Sequence, residues 1–322
     1  MKVKIKILTP IHIGSGADIT PSEYFIENGK FLRINMESLF HDPEFLPCMD
    51  KFIEIAKTQR YIGDILPLDL LRKHVLYAIP LTKTALEYIQ KKRTVVKEHI
   101  KTAGNVFIPG SSLKGSIFSA IFWYYLKEAY NSNNTYSFKD RGEQVTLSAN
   151  EFITKALQGR YRYDVLLNFA FTRFTKTGKN KFARWLSITD TDAKKPSDCL
   201  QLSLAKVEGS KSGSQLPILY ETIKSGTEFS FEIKKSPDLI IDEVKVLEVT
   251  DAFYKKVLEK DRVELKSSGK IIRLGQGSTA YSTSCLILAE ELGIKDYRVK
   301  PPKTRKRIDE IIPLGWVQLI GE

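Results

Sequence analysis

A serine- and glycine-rich segment at residues 108–116 has the residue types of an anion-binding site. Its Pro-Gly pair predicts a chain reversal, and the apolar periodicity that follows predicts a helix. We expect Ser111 or Ser112 to cap this helix, because a serine hydroxyl accepts a hydrogen bond from an unpaired amide of the first turn. Lys114 and Gly115 then lie within that turn. Free amides, the positive end of the helix dipole and the lysine would together attract a phosphate.

The same segment departs from the phosphate-binding loop of nucleotide hydrolases. Gly110 and Gly115 have the required spacing, but Ser116 stands where the loop needs its lysine, and Lys114 comes one position early. The broken pattern argues against an ATPase. An ordinary capped helix remains the alternative to a phosphate site.

A second glycine loop, Gly275-Gln276-Gly277-Ser278, follows a predicted strand near the end of the chain. With the next two residues it fits the loose G-x-G-x-x-A form of a dinucleotide fingerprint. The surrounding strand and helix pattern is not the one that fingerprint requires, since residues 281–284 are a poor helix opening. The loop therefore predicts a tight turn against a protein or nucleic-acid backbone, and no cofactor is expected.

A lone histidine, His12, precedes the flexible Gly14-Ser15-Gly16 segment. A histidine beside such a loop could serve as general acid or base in RNA cleavage, but a hydrogen-bonded structural role is the more common one. Asp190 and Asp192 follow a predicted strand without a third ligand nearby, so they are interpreted as turn residues and no metal site is expected.

The chain of 322 residues carries a formal net charge of +12, and 42% of its residues are hydrophobic. Residues 1–210 hold 31 Lys and Arg against 21 Asp and Glu, whereas residues 211–322 hold 19 against 17. This basic balance favours a polyanionic partner. One basic stretch holds Lys91, Lys92, Arg93, Lys97 and Lys101. A second basic run, Lys303, Arg305, Lys306 and Arg307, is either a solvated face or a track for phosphates. Three scattered cysteines, a start without a signal-peptide pattern and no apolar run long enough to span a bilayer predict a cytoplasmic protein without a membrane partner.

Hydrophobic patterning predicts an α+β protein with short strands, single helices and hairpins. Alternating apolar and lysine residues predict a half-buried strand over residues 2–7. Predicted helices cover most of 36–100, the segment from Leu113, 150–170 and 242–260. Predicted strands cover 107–108, 185–189, 200–207, a hairpin of 218–223 with 229–233, 271–274 and the region of 316–319. Predicted loops cover the glycine-containing segment 11–16, the polar segment 131–147, the basic and mobile segment 172–184, and 208–215.

Three of these motifs, in this order, resemble the RAMP superfamily of CRISPR-associated proteins. They are Thr9-Pro10-Ile11-His12-Ile13-Gly14-Ser15-Gly16, Ile108-Pro109-Gly110-Ser111-Ser112-Leu113-Lys114-Gly115-Ser116 and Leu274-Gly275-Gln276-Gly277-Ser278. The ending, Pro302-Lys303-Thr304-Arg305 with Pro313-Leu314-Gly315-Trp316-Val317, is most similar to the family of fifth subunits of type III-A (Csm) effector complexes.

The resemblance implies two ferredoxin-like, RNA-recognition-like domains. The first would span residues 1–210, with a helical insertion at about 36–100 and the basic loop at about 172–184; the second would span 211–322 and carry the glycine-rich loop. It implies a subunit without catalytic residues that caps the filament at the 3′ end of the CRISPR RNA (crRNA) and supports its maturation. Implied partners are crRNA, the backbone and small Csm subunits, and a host ribonuclease.

The implied RNA-binding residues come from the matching motifs and the basic run. They are His12, Gly14, Ser15, Gly16, Ser111, Ser112, Lys114, Gly115, Arg273, Gly275, Gln276, Gly277, Ser278 and Arg305. In the related backbone subunit an aspartate after the first strand cleaves target RNA. The corresponding region here, residues 18–25, lacks that pattern, so neither Asp18 nor Glu23 receives a catalytic role. A metal-independent endoribonuclease using His12 and a protein scaffold without RNA contact remain as alternatives.

Overall fold

The computed structural model describes residues 1–321 except 59, 141, 173–175, 177–181, 209–216 and 266. Strands and helices of the described chain follow one another without a regular strand–helix repeat. The strands are β1 (Lys2–Ile7), β2 (Gly14–Ile19), β3 (Tyr24–Glu27), β4 (Lys30–Ile34), β5 (Val75–Pro80), β6 (Val96–His99), β7 (Lys101–Thr102), β8 (Asn105–Val106), β9 (Thr135–Asp140), β10 (Glu143–Ser148), β11 (Leu186–Ile188), β12 (Leu200–Glu208), β13 (Ile218–Ile223), β14 (Glu228–Lys235), β15 (Lys270–Arg273), β16 (Arg305–Ile308), β17 (Ile312–Pro313) and β18 (Trp316–Gly321).

Helices range from single turns to the six-turn helix that follows the Pro-Gly motif. They are α1 (Met36–Phe40), α2 (Met49–Thr58), α3 (Leu68–Lys73), α4 (Lys83–Lys91), α5 (Gly110–Ser132), α6 (Ala149–Leu157), α7 (Tyr163–Thr172), α8 (Phe182–Trp185), α9 (Pro196–Cys199), α10 (Glu243–Lys260), α11 (Ala280–Thr283) and α12 (Leu286–Glu291), with 3₁₀ turns at Pro21–Glu23, Leu46–Cys48 and Ile62–Asp64. In the described part of the chain, no helix has both the length and the apolar character needed to cross a membrane.

The first large sheet is antiparallel, with the strand order β11-β14-β1-β18-β15. Its central strand, β1, confirms the predicted alternation: Val3, Ile5 and Ile7 are buried, and the intervening lysines face solvent. Helices α5 and α10 pack side by side against this sheet. The sheet therefore joins the start of the chain to its end, because β1 pairs directly with β18.

The second large sheet has the order β17-β16-β12-β13-β6-β2. All of its pairs are antiparallel except β13 with β6. Strand β2 forms one edge, and its register with β6 shifts between Gly14 and Asp18. The predicted loop at 11–16 therefore ends inside an irregular edge strand.

The predicted hairpin of 218–223 with 229–233 is wrong, because its two strands belong to different sheets. Ile223 exchanges backbone hydrogen bonds with Ile11, whereas the Gly226 amide donates to the carbonyl of Ile7 at 2.7 Å. The chain therefore crosses between the sheets at the turn after β13, beside the point where the segment after β1 crosses in the opposite direction.

The polar segment 131–147 is also not a loop, since it forms the hairpin β9–β10. Tyr136 and Phe138 alternate with polar residues, and their rings pack on Phe152 with centroids 4.9 and 5.0 Å apart. Two aromatic side chains at strand spacing supply the buried face that outweighs the polar composition. Between 36 and 100 the helices α1 to α4 are likewise interrupted by β5 and β6.

Several predicted features fall on residues outside the described part. Most of the basic segment 172–184 and the segment 209–216 are among them, as is the predicted boundary at residue 210. Strands on either side of that boundary share sheets, β1 with β14 and β12 with β13. The division into two domains there stays a prediction.

Candidate nucleic-acid interface

The glycine loop at residues 275–278 sits directly on the backbone of the N-terminal loop. The Gln276 amide donates to the His12 carbonyl at 2.9 Å. Gly275 has a φ of +67°, and a Cβ there would clash with that same carbonyl oxygen. Only glycine combines this backbone conformation with this approach. Two motifs far apart in the sequence are thereby joined at one place.

Gly315, directly before the final strand β18, connects the same two loops through further hydrogen bonds. Gly315 donates its amide to the Pro10 carbonyl at 3.0 Å and accepts a hydrogen bond from the Leu274 amide at 2.8 Å. Its φ is +89°, and a Cβ there would clash with the Leu274 carbonyl. The sequence motif at 313–317 therefore holds the glycine loop and the N-terminal loop together.

A cleft of about 240 Å³ opens above this junction. Lys306 contacts two residues of its lining, and its Nζ lies 3.2 Å from both the Tyr220 hydroxyl and Oε1 of Gln276. Lys97, the cross-strand partner of Tyr220, also lines the cleft and pairs with Asp18 at 2.8 Å. The cleft is lined by His12, Gly14, Gly16, Ala17, Asp18, Lys97, Glu98, Tyr220 and Gln276.

His12 forms part of the cleft wall but is almost completely buried. Its Nδ1 lies 2.8 Å from the Glu221 carbonyl, and its ring centroid lies 4.5 Å from that of Tyr220. Because Nδ1 faces an acceptor, it carries the proton, and Nε2 is left as an acceptor. Burial lowers the pKa of His12 to about 4, opposed by the Glu221 hydrogen bond and assisted by nearby lysines. His12 is therefore neutral at neutral pH and a weak base, a poor match for general acid–base catalysis.

A buried ionic network forms the floor beneath His12. Glu221 is fully buried and accepts hydrogen bonds from Lys101 Nζ at 2.6 Å, the Tyr77 hydroxyl at 2.5 Å and the His99 amide at 3.0 Å. Burial lowers the pKa of His99 well below its ordinary value. Charged and hydrogen-bonded partners of this kind fix a backbone, because breaking one leaves an uncompensated buried charge. These residues come from separate strands, so no sequence spacing identified them.

Two further clefts continue from the first along the basic C-terminal run. Gln276 lines both the first cleft and a second one of about 350 Å³, which also contains Gly277, Ser278 and Lys306. Arg305 lines both the second cleft and a third one of about 440 Å³. The third is bordered by Lys260, Arg262, Lys303, Arg305 and Arg307. Together the three clefts form a basic groove from Lys97 to Arg307, which we call the basic groove below.

Arg273 is a predicted RNA contact whose side chain the structure buries. Its side chain is only 2% exposed, with Nη1 2.5 Å from Asp261 Oδ2 and Nε donating to the Leu314 carbonyl at 3.2 Å. Asp261 also pairs with Arg305 at 3.1 Å. A buried guanidinium held by a carboxylate is not available to a phosphate. Arg273 instead stabilises the floor of the groove by joining Asp261 to the Leu314 backbone.

The start of α5 differs from the serine-capped anion site that the sequence predicts. Pro109 occupies the N-cap position, and neither Ser111 nor Ser112 caps the helix. Asp190 takes that role instead, since its Oδ1 accepts a hydrogen bond from the Gly110 amide at 2.7 Å. Ser111 and Ser112 lie inside the first turn, because the helix already starts at Gly110. A Cβ at Gly110 would clash with the backbone of residues 188–189, so the start of the helix packs directly on the chain that carries Asp190.

Asp190, which the sequence predicts to be a turn residue, thus places a carboxylate where the sequence predicts a bound phosphate. The second turn of α5 contacts the strand that leads into the glycine loop, because the Ser116 hydroxyl donates to the Arg273 carbonyl at 2.9 Å. Partial burial lowers the pKa of Lys114. None of Ser111, Ser112, Lys114 and Gly115 lines the basic groove.

The structure therefore gathers half of the predicted residues in the groove. His12, Gly14, Gly16, Gln276, Gly277, Ser278 and Arg305 line it. The Ser15 hydroxyl donates to the Glu98 carboxylate beside the groove at 3.1 Å. Gly275 lies beneath the groove, packed on the His12 carbonyl. Lys97 belongs to a basic stretch visible in the sequence, but Tyr220 gives no sequence signal. Within the described ranges, no three His, Cys, Asp or Glu side chains are grouped so that they could hold a metal ion.

A family model described as the RAMP superfamily matches residues 4–281. Two relatives are each named CRISPR system Cms protein Csm5. The one from Methanocaldococcus jannaschii is 34% identical over 135 residues, which cover 39% of this chain and 32% of the relative. The one from Streptococcus thermophilus is 25% identical over 331 residues, which cover 94% of this chain and 84% of the relative.

Two solved structures share the fold over almost the whole chain. A chain of the cryo-EM structure of a Csm–crRNA–target RNA ternary complex of the type III-A CRISPR-Cas system has a TM-score of 0.74 and 21% identity, covering 99% of this chain and 100% of that one. The crystal structure of T. onnurineus Csm5 has a TM-score of 0.69 and 20% identity, covering 98% and 99%.

Proposed function

The chain belongs to the RAMP superfamily, and we propose on that premise that it is an RNA-binding subunit of a type III-A CRISPR effector complex. It is similar to Csm5 over nearly its full length. The fold is shared with a chain found in a Csm–crRNA–target RNA complex. The bound RNA would be crRNA, and the protein partners would be the backbone and small Csm subunits.

The observation that carries this proposal is the basic groove over a glycine-built seat. Lysines and arginines along the groove would neutralise phosphates, and this contact is independent of sequence. Gly275 and Gly277 pack closely against His12 and Leu314, and this packing holds the glycine loop at the groove, where Gln276, Gly277 and Ser278 line it. A guide RNA must vary in sequence, so recognition through backbone and shape suits this ligand.

The position in the complex is a further part of the proposal. The subunit would cap the filament at the crRNA 3′ end and support maturation of that end, with a host ribonuclease as a partner. The resemblance of the motifs at 302–305 and 313–317 to fifth Csm subunits, and the similarity to Csm5 over 94% of the chain, support this placement.

The sheet order supports the ferredoxin-like part of the proposal. Four strands of the first sheet lie in the order β11-β14-β1-β18, with α5 between β1 and β11 in the chain and α10 between β14 and β18. This is the order of a β-α-β-β-α-β unit, with β15 as an added edge strand. We assign the second such unit to the sheet that carries β12 and β13.

The proposed role is non-catalytic. Cleavage of RNA through His12 would need a group that exchanges protons near neutral pH. His12 has its pKa lowered to about 4 and its Nδ1 committed to the Glu221 carbonyl. This setting favours a structural or hydrogen-bonding role.

The experiment is to purify the tagged protein from its native host at moderate salt and to sequence the RNA that accompanies it. The proposal predicts short RNAs with repeat-derived 5′ tags and variable spacers, together with other Csm subunits. Unprocessed repeat transcripts without partner proteins would contradict it and favour the endoribonuclease. Partner subunits without RNA would contradict RNA binding and favour the scaffold.

A further inference from the structure

A separate pocket of about 380 Å³ lies where α6 and α7 meet the segments 283–285 and 297–299. Three tyrosines line it: Tyr161 is 9% exposed, Tyr163 is 49% exposed and Tyr297 is half-buried. The volume is within the range of pockets that hold small planar ligands. An aromatic wall of this kind offers stacking surfaces rather than a surface for a folded partner.

Most polar groups of this tyrosine pocket already have internal partners. The Tyr297 hydroxyl accepts a hydrogen bond from the Cys285 amide at 3.1 Å, which fixes that ring. The hydroxyls of Thr283 and Ser284 donate to carbonyls of their own helix turn at 3.0 and 2.6 Å. Burial raises the pKa of the Cys285 thiol to about 12, so the sulfur stays protonated and is a poor nucleophile.

Arg298 supplies the charge at the pocket. It is exposed, and among the described residues it has no salt-bridge partner. An arginine beside aromatic rings is suited to the phosphate of a nucleotide whose base stacks on those rings.

The tyrosine pocket lies next to the far end of the basic groove. The third cleft of the groove is lined by Tyr281 and Pro301, and the pocket by Thr283 and Val299, each two residues away in the chain. Pro301 of the groove and Arg298 of the pocket are three residues apart in the chain, so the two sites are neighbours.

We propose that the tyrosine pocket binds one unpaired nucleobase of the RNA strand that leaves the basic groove, with the adjoining phosphate held by Arg298. The inference rests on the proposed function. Every nucleobase has a π-face, so stacking on tyrosine accepts any sequence, as a variable guide requires. The pocket would hold one nucleotide of the strand at a fixed position on the protein, whatever its base.

The test uses single-stranded RNAs with 2-aminopurine at successive positions, because stacking on tyrosine quenches its fluorescence. The wild-type protein is expected to quench at one position near one end of the bound segment. Tyr163→Ala should restore that signal and weaken RNA binding about fivefold or more. Arg298→Gln should weaken binding without restoring the signal fully, and Tyr163→Phe should behave as wild type.

Phe40→Ala is the matched control, since Phe40 is 44% exposed and lines neither the pocket nor the groove. It should leave both quenching and affinity unchanged. If Tyr163→Ala changes nothing while Lys306→Glu still weakens RNA binding, the pocket assignment is overturned and the proposed function stands.

Two other outcomes also overturn the inference. If wild-type protein binds no RNA, the proposed function fails and the pocket assignment with it. If free AMP or UMP binds saturably to the wild-type protein, and Tyr163→Ala abolishes that binding without changing RNA affinity, the ligand of the pocket is a free nucleotide and not the RNA strand.

Discussion

The backbone amide of Gln276 donates a hydrogen bond to the carbonyl of His12 across 2.9 Å, joining loops from opposite ends of the chain. The bond makes the groove floor a single unit, with Gly275 as the residue that allows the approach. A glycine motif that resembles a cofactor loop in sequence therefore has its first role in assembling the protein.

Gly275→Ala should lower the free energy of unfolding by about 2–4 kcal/mol, because it combines a positive φ with a clash against the His12 carbonyl. Gly16→Ala is the control. Gly16 also has a positive φ, of +90°, but no atom lies within 4 Å of a Cβ built there, so only about 1 kcal/mol is expected. Urea unfolding measures both. Equal losses for the two variants would show that the close approach is not what requires glycine.

His12 should make the protein less stable as the pH falls from about 6.5 towards 4. Its folded pKa is lowered to about 4, so in this range the unfolded chain binds a proton that the folded chain does not. The stabilisation is complete above the unfolded pKa and decreases as the pH drops, by at most about 3 kcal/mol. Urea unfolding of the wild type and of His12→Gln measures this between pH 7.5 and 5. The free energy of unfolding should fall less steeply with decreasing pH in the variant.

His99 shifts in the same direction, so the variant should keep part of the pH dependence. An unchanged pH slope in His12→Gln would mean that His12 can be protonated in the folded protein. Its use as a proton donor would then have to be reconsidered.

The start of α5 should affect RNA binding in opposite senses through the opposite charges of Asp190 and Lys114. Asp190→Asn keeps a side-chain acceptor for the Gly110 amide but removes the negative charge, so it should raise RNA affinity at low salt. Lys114→Glu should weaken binding to all sequences alike. Filter binding across a salt series distinguishes these effects, and unchanged affinity in both variants would place the helix start outside the RNA path.

The sequence predicted the alternating β1, the α10 helix and the three motifs, because each depends on local spacing. It could not predict that β13 and β14 join different sheets. That separation depends on distant pairings, because β14 pairs with β1 whereas Ile223 at the end of β13 pairs with Ile11. The serine cap failed for a related reason. The helix starts at Gly110, before the two serines, and Asp190 from a distant part of the chain accepts the hydrogen bond of the Gly110 amide.

The site shows the same division between local and distant information. Arg273 looked like a phosphate ligand because it precedes a glycine loop, but Asp261 and Leu314, brought in by the fold, bury it. Tyr220 and Glu221 lie next to each other on β13, one facing the cleft and one beneath it. Nothing in their local sequence separates them from ordinary strand residues.

The most direct test of the account is RNA binding by Lys306→Glu against Lys57→Glu across a salt series. Both exchange a lysine for a glutamate, but Lys306 lines the basic groove, whereas Lys57 lies exposed on α2 and lines none of its clefts. The account predicts that Lys306→Glu weakens RNA binding by about tenfold or more, whatever the RNA sequence. The slope of log Kd against log salt concentration should fall in magnitude by about 1. Lys57→Glu should bind as wild type. Equal effects of the two variants, or none from Lys306→Glu, would contradict the claim that this groove holds the RNA.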